Sequence, residues 1–322
     1  MLRLSGLHLD GFPLAALAAY GLLRVLEERG IEAGLAFEAP RARPVALLDV
    51  RMRERDLLDH LVAHVFSLDL GARGVPAGGG KIPSLSTLWK EEKLPRNPFT
   101  QAYLAPLPPR GRSKGPRLVT TPFDTTKGQQ GFLKALATVV KQLREDRDRT
   151  REAFRKVLCE DVRLLPGDRL FGEVPRLGWH PSQFRRTADQ ARIANKERPI
   201  ETIRLNPAAL LLAWEAIPYF PFVPSAREPL PLGFAREGGR YRLFLPTPGT
   251  PVGPRMLRAL VALAPGLGGR TPDLGVWTSL RIGSKSSKDD YPCFLEAEPV
   301  VPLGAGRPPR TPSGGRNPEG FA

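Results

Sequence analysis

Apolar positions recur at helical spacing in some stretches and alternate or run together in others, and their order along the chain predicts a fold class. Leu14, Leu17, Ala18, Gly21, Leu22, Val25 and Leu26 fall at i, i+3, i+4 intervals, which predicts a helix over 14–29. Pro13 near its start lacks only an N–H that the first turn leaves unbonded, and Gly30 provides a stop. Ala15, Ala16, Ala18, Ala19 and Gly21 make this helix slim, so a neighbouring backbone can approach it closely. Two strand-like runs follow, GLAFE at 34–38 and PVALLDV at 44–50, and a helix from Glu54 to Phe66 has Leu57, Leu58, Leu61, Val62 and Val65 on its apolar side. Helix, strand, strand, helix is a compact α+β unit.

The pattern then weakens. Residues 71–118 are rich in Gly, Pro and basic side chains with little periodicity, and read as long surface loops around SLSTLWKEEKL, a nucleic-acid-facing region or a linker. A long helix is predicted from Thr125, N-capped by Asp124, with Phe132, Leu133, Leu136, Val139, Val140 and Leu143 as its buried stripe. Its charged tail leads into a second helix ending near Cys159. QFRRTADQARIANKER (183–198) is polar nearly all round, a helix that bridges solvent or meets a partner. NPAALLLAWEA (206–216) reads as a buried helix capped by Asn206 with Pro207 in its first turn, followed by a proline-broken stretch that excludes regular helix. Strands are predicted at 240–246, 274–283 and 293–300, with an amphipathic helix at 255–264 between the first two. The expected organisation is an N-terminal α+β domain over 1–118, a mixed helical and strand domain over 119–302, and a disordered tail over 303–322. The second domain is a mixed region with long Pro/Gly-rich loops.

Composition narrows the function classes. Of the 322 residues, 41% are hydrophobic and 25% charged, enough apolar material for a core. No apolar run reaches the length of a bilayer span and the N-terminus lacks the features of a secretory signal, so a cytoplasmic, non-membrane protein is expected. Two separated cysteines, Cys159 and Cys293, exclude a disulfide framework and leave no Cys-based zinc site. The formal charge is +15, and only 11 of the 48 basic residues are lysines. Arginine's planar fork suits phosphates and base edges, so a polyanion, above all nucleic acid, is the expected partner.

Catalytic patterns are weak. His60 and His64 stand at i, i+4 but lack the Glu that would follow the first histidine of a zincin, and Asp59 precedes His60. GVPAGGGKI (74–82) is not a P-loop, because Val75 takes the place of the first Gly and Ile82 that of the hydroxyl residue. There is no GxSxG elbow, Cys159 has no evident partner, and Asp289–Asp290 read as loop decoration. The expectation is no enzyme, no cofactor and no metal.

Binding features are stronger. Arg110, Arg112, Lys114 and Arg117 fall in a segment without an acid, spaced by Gly, Ser and Pro. Arg185, Arg186, Arg192, Lys196 and Arg198 form a second cluster, with Trp179 and Phe184 nearby as stacking candidates. Arg281, Lys285 and Lys288 surround a GSKSSK turn.

Four stretches carry a family resemblance: GFPLAALAAYGLLRVLEE at the N-terminus, FDTTKGQQGFLKAL (123–136), LGWHPSQFRRTA (177–188) and NPAALLLAWEAIPYFPFVP (206–224), with GF (233–234) and AEP (297–299) beyond. Together, covering about half of the chain, they resemble the poorly conserved proteins of type I-G (formerly I-U) CRISPR loci, although His180 stands where that family's pattern has an acidic residue. The resemblance implies a subunit similar to the large subunit of Cascade, an RNA-guided DNA surveillance complex. Its implied partners are target DNA, guide RNA and other effector subunits, with cleavage left to a separate enzyme. An RNA-binding or purely structural assembly protein, and a metal-dependent nuclease using His60, Asp59 or Asp290, are the alternative readings.

Overall fold

The computed structural model describes residues 1–9, 13–38, 44–76, 85–93, 95–107, 118–124, 131–164, 171, 177, 179, 204–223, 229–237, 240–267, 274–282, 293–294 and 298–299. The protein is α+β. Strand β1 (Leu2–His8) precedes helix α1 (Pro13–Glu28), and β2 (Ala33–Glu38), β3 (Val45–Val50) and α2 (Glu54–Ser67) follow. The sheet order is β1-β3-β2 with both neighbours antiparallel to β3, so β1 and β2 run the same way and α1 crosses between them as a split βαβ unit. Leu2, Leu4, Leu35, Phe37, Ala46 and Leu48 share one face of this sheet through the pairs Leu2↔Leu48, Leu4↔Ala46, Leu35↔Leu48 and Phe37↔Ala46.

Helix α1 ends as its sequence predicts. Gly30 adopts a left-handed φ of 69°, its N–H donates to the Glu27 carbonyl at 3.0 Å, and the Ile31 N–H donates to Leu26 at 2.9 Å. These two bonds make a Schellman motif, which needs a residue without the Cβ penalty at the turn. Every residue from Pro13 to Leu23 is buried, so the helix is enclosed on all sides rather than along one stripe.

The enclosing element is α7 (Pro207–Glu215). Asn206 caps it by accepting from the Ala208 N–H at 2.9 Å, and Pro207 takes the first position. The slim face of α1 meets it backbone to backbone: a Cβ placed on Gly21 would lie 1.6 Å from the Leu212 carbonyl oxygen. Helices α5 (Phe132–Arg144) and α6 (Arg147–Cys159) pack on the other sides of α7. The predicted stripe of α5 is buried as expected, but its N-cap is Gly131 and not Asp124, whose own N–H closes a turn onto Thr121 at 3.0 Å. The stretch 125–130 lies outside the described residues.

The expected surface loops of 71–118 are a second correction. A 3-10 turn (Gly71–Arg73), α3 (Leu85–Lys90), α4 (Pro98–Tyr103) and β4 (Leu104–Pro106) occupy the described part, with Arg73, Phe99, Thr100, Ala102 and Tyr103 buried. Helix α4 forms because Asn97 and Thr100 make a reciprocal capping box and Pro98 fits the first turn.

Strand β4 pairs with β5 (Leu118–Thr120), and β6 (Arg163–Leu164) pairs with β7 (Arg204–Leu205). Past α7 a 3-10 turn (Ile217–Tyr219) leads to the pair β8 (Phe222–Val223) and β9 (Leu230–Pro231). The last sheet holds β10 (Phe234–Glu237), β11 (Arg240–Pro248) and β12 (Leu274–Ile282), and β13 (Cys293–Phe294) and β14 (Glu298–Pro299) both pair with the far edge of β12. Helix α8 (Pro254–Leu267) packs across β11. One buried cluster runs from Leu4 to Phe294, and the expected boundary at 118/119 falls inside β5. Residues 303–322 lie outside the described part. Among the described residues no helix is long and apolar enough to cross a membrane.

The Gly21 contact gives a direct stability prediction. Gly21→Ala must push α7 away from α1 by more than an ångström, so chemical denaturation should show a loss of about 3 kcal/mol. An unchanged midpoint would mean that the two helices are not held at this spacing.

Candidate nucleic-acid interface

All three basic clusters, apart from Arg281, fall in sequence between adjacent, antiparallel, hydrogen-bonded strands. Arg110, Arg112, Lys114 and Arg117 belong to the connection between β4 and β5, whose inner pair is Pro106↔Leu118. Arg185, Arg186, Arg192, Lys196 and Arg198 belong to the connection between β6 and β7, closed by Leu164↔Arg204. Lys285 and Lys288 lie between β12 and β13, closed by Ile282↔Cys293, and Arg281 is on β12 itself, paired in register with Tyr241 and Phe294. Apart from Arg281, whose backbone alone is placed, these candidate residues lie outside the described residues. What the structure places is where each segment starts and ends.

Those ends meet at one side chain. Phe123, just after β5, is fully buried. Its ring centroid lies 6.0 Å from that of Trp179, in the β6–β7 connection, and 6.0 Å from that of Phe294, on β13. The indole N–H of Trp179 donates to the Phe123 carbonyl at 2.9 Å. Phe220 and Phe234 complete the ring cluster at 5.1 and 5.2 Å. Edge-to-face contacts of this kind add to plain area burial and fix the relative orientation of the segments that carry them. Arg117, Arg185 and Lys288 each stand six positions from Phe123, Trp179 and Phe294 respectively. Six residues of chain span at most ~20 Å, so each of the three clusters begins within that reach of one point.

Trp179 therefore does a different job from the one its neighbourhood in the sequence suggests. It is 0% exposed and touches Trp214 as well as Phe123, so it anchors the basic segment from below and is not available to stack on a base. Phe184 lies outside the described residues.

A second charged assembly went unread in the sequence. Glu215, the last residue of α7, is 1% exposed, yet it is ionised. Arg24 of α1 donates to its Oε2, Arg73 Nε to its Oε1 at 3.3 Å, and His64 Nε2 to Oε1 at 3.2 Å. Arg73 also holds Glu28 through both carboxylate oxygens, at 3.0 and 2.7 Å, and Arg24 reaches Glu28 at 3.1 Å. Both guanidiniums lie over the Phe99 ring, their Cζ atoms 4.5 and 4.9 Å from its centroid. Burial works most strongly against the Glu215 charge. The hydrogen bond from His64 and the positive charges of Arg24, Arg73 and His64 together outweigh it and hold the carboxyl at about 2. Arg24 sits one turn before Glu28 on a helix that is free of charge from Pro13 to Leu23, and Glu215 closes an otherwise apolar helix. An acid or base inside such a run was the available signal for a buried ion pair.

This assembly also answers the histidine pattern. His64 is buried while His60 is only partly so, and Asp59 accepts from Arg151, so the i, i+4 pair does not converge on a shared ligand. Glu28, His64 and Glu215 do bring ligand atoms within 4.8 Å of one another. Two guanidiniums already occupy the carboxylate oxygens, so a divalent cation there would face two fixed positive charges, and the donor set does not fit a metal. Cys159 has a partner after all: its thiol donates to Glu54 at 3.3 Å, and burial followed by that carboxylate pushes it up to about 11, away from nucleophilic use. Asp289 and Asp290 lie outside the described residues.

No protein-family model matches the chain, and a comparison with curated proteins returns no relative.

The ion network makes the fold acid-sensitive in a defined window. Glu215 has its carboxyl depressed from an ordinary 4.5 to about 2, so its contribution is complete above about 4.5 and is lost as pH falls toward 2. Glu215→Gln should remove most of that pH dependence. It should also cost about 3 kcal/mol at neutral pH, because Arg24, Arg73 and His64 lose their fully buried partner and the two guanidiniums keep only the partly exposed Glu28. Urea denaturation from pH 7 down to pH 2 measures both effects, and a parallel pH profile for wild type and variant would refute the assignment.

Proposed function

We propose that this chain is a non-catalytic, nucleic-acid-contacting subunit of a cytoplasmic RNA-guided DNA surveillance complex, the role implied by its resemblance to type I-G CRISPR proteins. The observation that carries the reading is the common root of the three basic segments on Phe123. A single cluster of arginines on a surface is ordinary. Three clusters whose chains begin within ~20 Å of one point, in a protein of charge +15, support a shared polyanion partner better than three independent surface patches do.

The charge distribution supports the same reading. On the described surface, many arginines are matched locally: Arg53 by Asp56, Arg151 by Asp59, Arg155 by Glu152 and Glu160, Arg163 by Asp161, Arg258 by Glu27. The connection 107–117 carries four cations and no acid. Cations on a glycine- and proline-spaced segment without an acid in its own sequence suit a sugar-phosphate track, where they position the ligand without reading its sequence. Sequence recognition in such a complex comes from base pairing with the guide, and the protein holds the duplex or the displaced strand beside neighbouring subunits.

The test is binding of nuclease-treated, purified protein to labelled duplex DNA, single-stranded DNA and guide-like RNA across a salt series. Affinity should fall steeply with salt. Reversing Arg110, Arg112 and Lys114 to Glu should weaken binding and lower the salt slope by roughly 0.9 per lost phosphate contact on duplex. Reversing Lys285 and Lys288, or Arg185 and Arg186, should act on the same ligand in the same direction. Preference for structured RNA over duplex DNA would move the assignment to an RNA-binding protein, and no binding at low salt would leave a purely structural subunit.

A further inference from the structure

With Trp179 buried, the ring cluster around Phe123 reaches the surface at a different residue. The Phe234 ring lies 5.2 Å from that of Phe123, and the Tyr241 ring lies 6.2 Å from Phe234 in edge-to-face contact. Phe123, Trp179, Phe220, Phe234 and Phe294 are all buried, whereas Tyr241 is half-buried. Arg236, exposed on β10, sets its guanidinium over the Tyr241 ring, with Cζ 5.1 Å from the ring centroid. Its Nη2 donates to the Tyr241 hydroxyl at 3.1 Å. The hydrogen bond and the cation–π contact together hold a planar cation against an aromatic ring at the surface.

The same two residues begin a row across the last sheet. Register sets Arg236 beside Tyr241, Tyr241 beside Arg281, and Arg281 beside Phe294. The row therefore runs from an exposed cation on β10, past a half-buried ring and the first residue of the third basic cluster, to Phe294, whose ring is 6.0 Å from Phe123. A cross-strand Arg–Tyr pair by itself only steadies a hairpin. Continuity with Arg281 and with the Phe123 cluster sets this pair at the root of the basic segments.

We propose that Arg236 and Tyr241 form a stacking platform for one base of an unpaired nucleic-acid strand, an inference that rests on the nucleic-acid-contacting role proposed above. Every base has a flat π face, and a guanidinium plane or a tyrosine ring receives it with little regard to sequence. Bases inside a duplex already stack on one another and keep that face covered, so the ligand of the platform is a single strand. The local charge suits its phosphates. Residues 234–242 hold Arg236, Arg240 and Arg242 against one acid, Glu237, and Arg281 adds a further cation beside Tyr241 in the row.

The measurement is the affinity of the full chain and its variants for single-stranded DNA, single-stranded RNA, duplex DNA and an abasic strand of equal length. Tyr241→Leu should weaken binding of the single strands by about 5- to 150-fold, the loss of one stacked base. It should leave duplex and abasic binding unchanged, and its salt slope should equal that of the unaltered chain, because no phosphate contact is removed. Tyr241→Phe should keep most of the affinity. Arg236→Lys, which keeps the charge but not the plane, should lose affinity for the same strands. The DNA and RNA arms tell which strand the platform receives. Equal losses on the single-stranded, duplex and abasic ligands would make Tyr241 a merely structural residue and overturn the proposal. Unchanged single-strand binding by Tyr241→Leu would also overturn it while leaving the nucleic-acid role intact, whereas no binding of any ligand by the unaltered chain at low salt would overturn both.

Discussion

The backbone contact between α1 and α7 is the constraint from which the interior follows. A glycine on one helix against a carbonyl on the other leaves no room for a side chain between them, so the two axes have one permitted spacing at that point. Once α7 is seated there, its last turn carries Trp214 into contact with Phe132 and Tyr103, with the indole N–H bonded to the Tyr103 hydroxyl at 2.7 Å, and brings Glu215 beside Arg24. Trp214 in turn supports Trp179, and Trp179 holds Phe123. The route from a slim helix near the N-terminus to the roots of the three basic segments is a continuous chain of packed rings.

The ion network has a separate effect on the same contact. Burying a carboxylate, two guanidiniums and a histidine is unfavourable unless each finds its partners, and an apolar substitute of equal volume would often be at least as stable. What the charges add is discrimination. Arg24, His64, Arg73 and Glu215 come from four separate elements, and any packing of those elements that misaligns them leaves a bare charge in the core. The network therefore penalises wrong arrangements of α1, α2, α7 and the 71–73 turn more than it rewards the right one. Glu28, 39% exposed on its side chain, is where the network touches solvent.

What could be read from the sequence follows from how local each signal is. Helix α1, its Gly30 stop, its slim face and the Asn206–Pro207 start of α7 depend on residues within a turn or two, and all stand in the structure. Strands β2, β3, β11 and β12 alternate or run together over enough positions to be recognised. Helix α4 and the β4–β5 pair are too short for periodicity to register, and Gly and Pro around them imitate a loop. Trp179 is flanked by glycine, histidine, proline and arginines, which suggests a surface site, and only its distant contacts with Phe123 and Trp214 bury it. Arg73 finds its acids at Glu28 and Glu215, far away in the chain, and no spacing rule connects them. The basic clusters themselves were visible as composition, but their shared root was not, because it depends on three aromatic residues far apart in the chain, Phe123, Trp179 and Phe294.

The way those connections are tethered also governs how freely they can change. Each begins and ends in two strands that are already bonded side by side, so the ends of the segment are brought together by the core and not by the segment itself. Closure entropy then grows only with the logarithm of length, about 0.6 kcal/mol for each doubling. Between β4 and β5, or between β12 and β13, residues can be inserted or deleted at that low cost, whereas the β6–β7 connection carries the buried Phe171, Leu177 and Trp179 and is tied into the packed rings. The molecule thus joins a core intolerant of a single added methyl group at Gly21 to connections whose ends that core already holds together, so their length is set largely independently of the packing beneath.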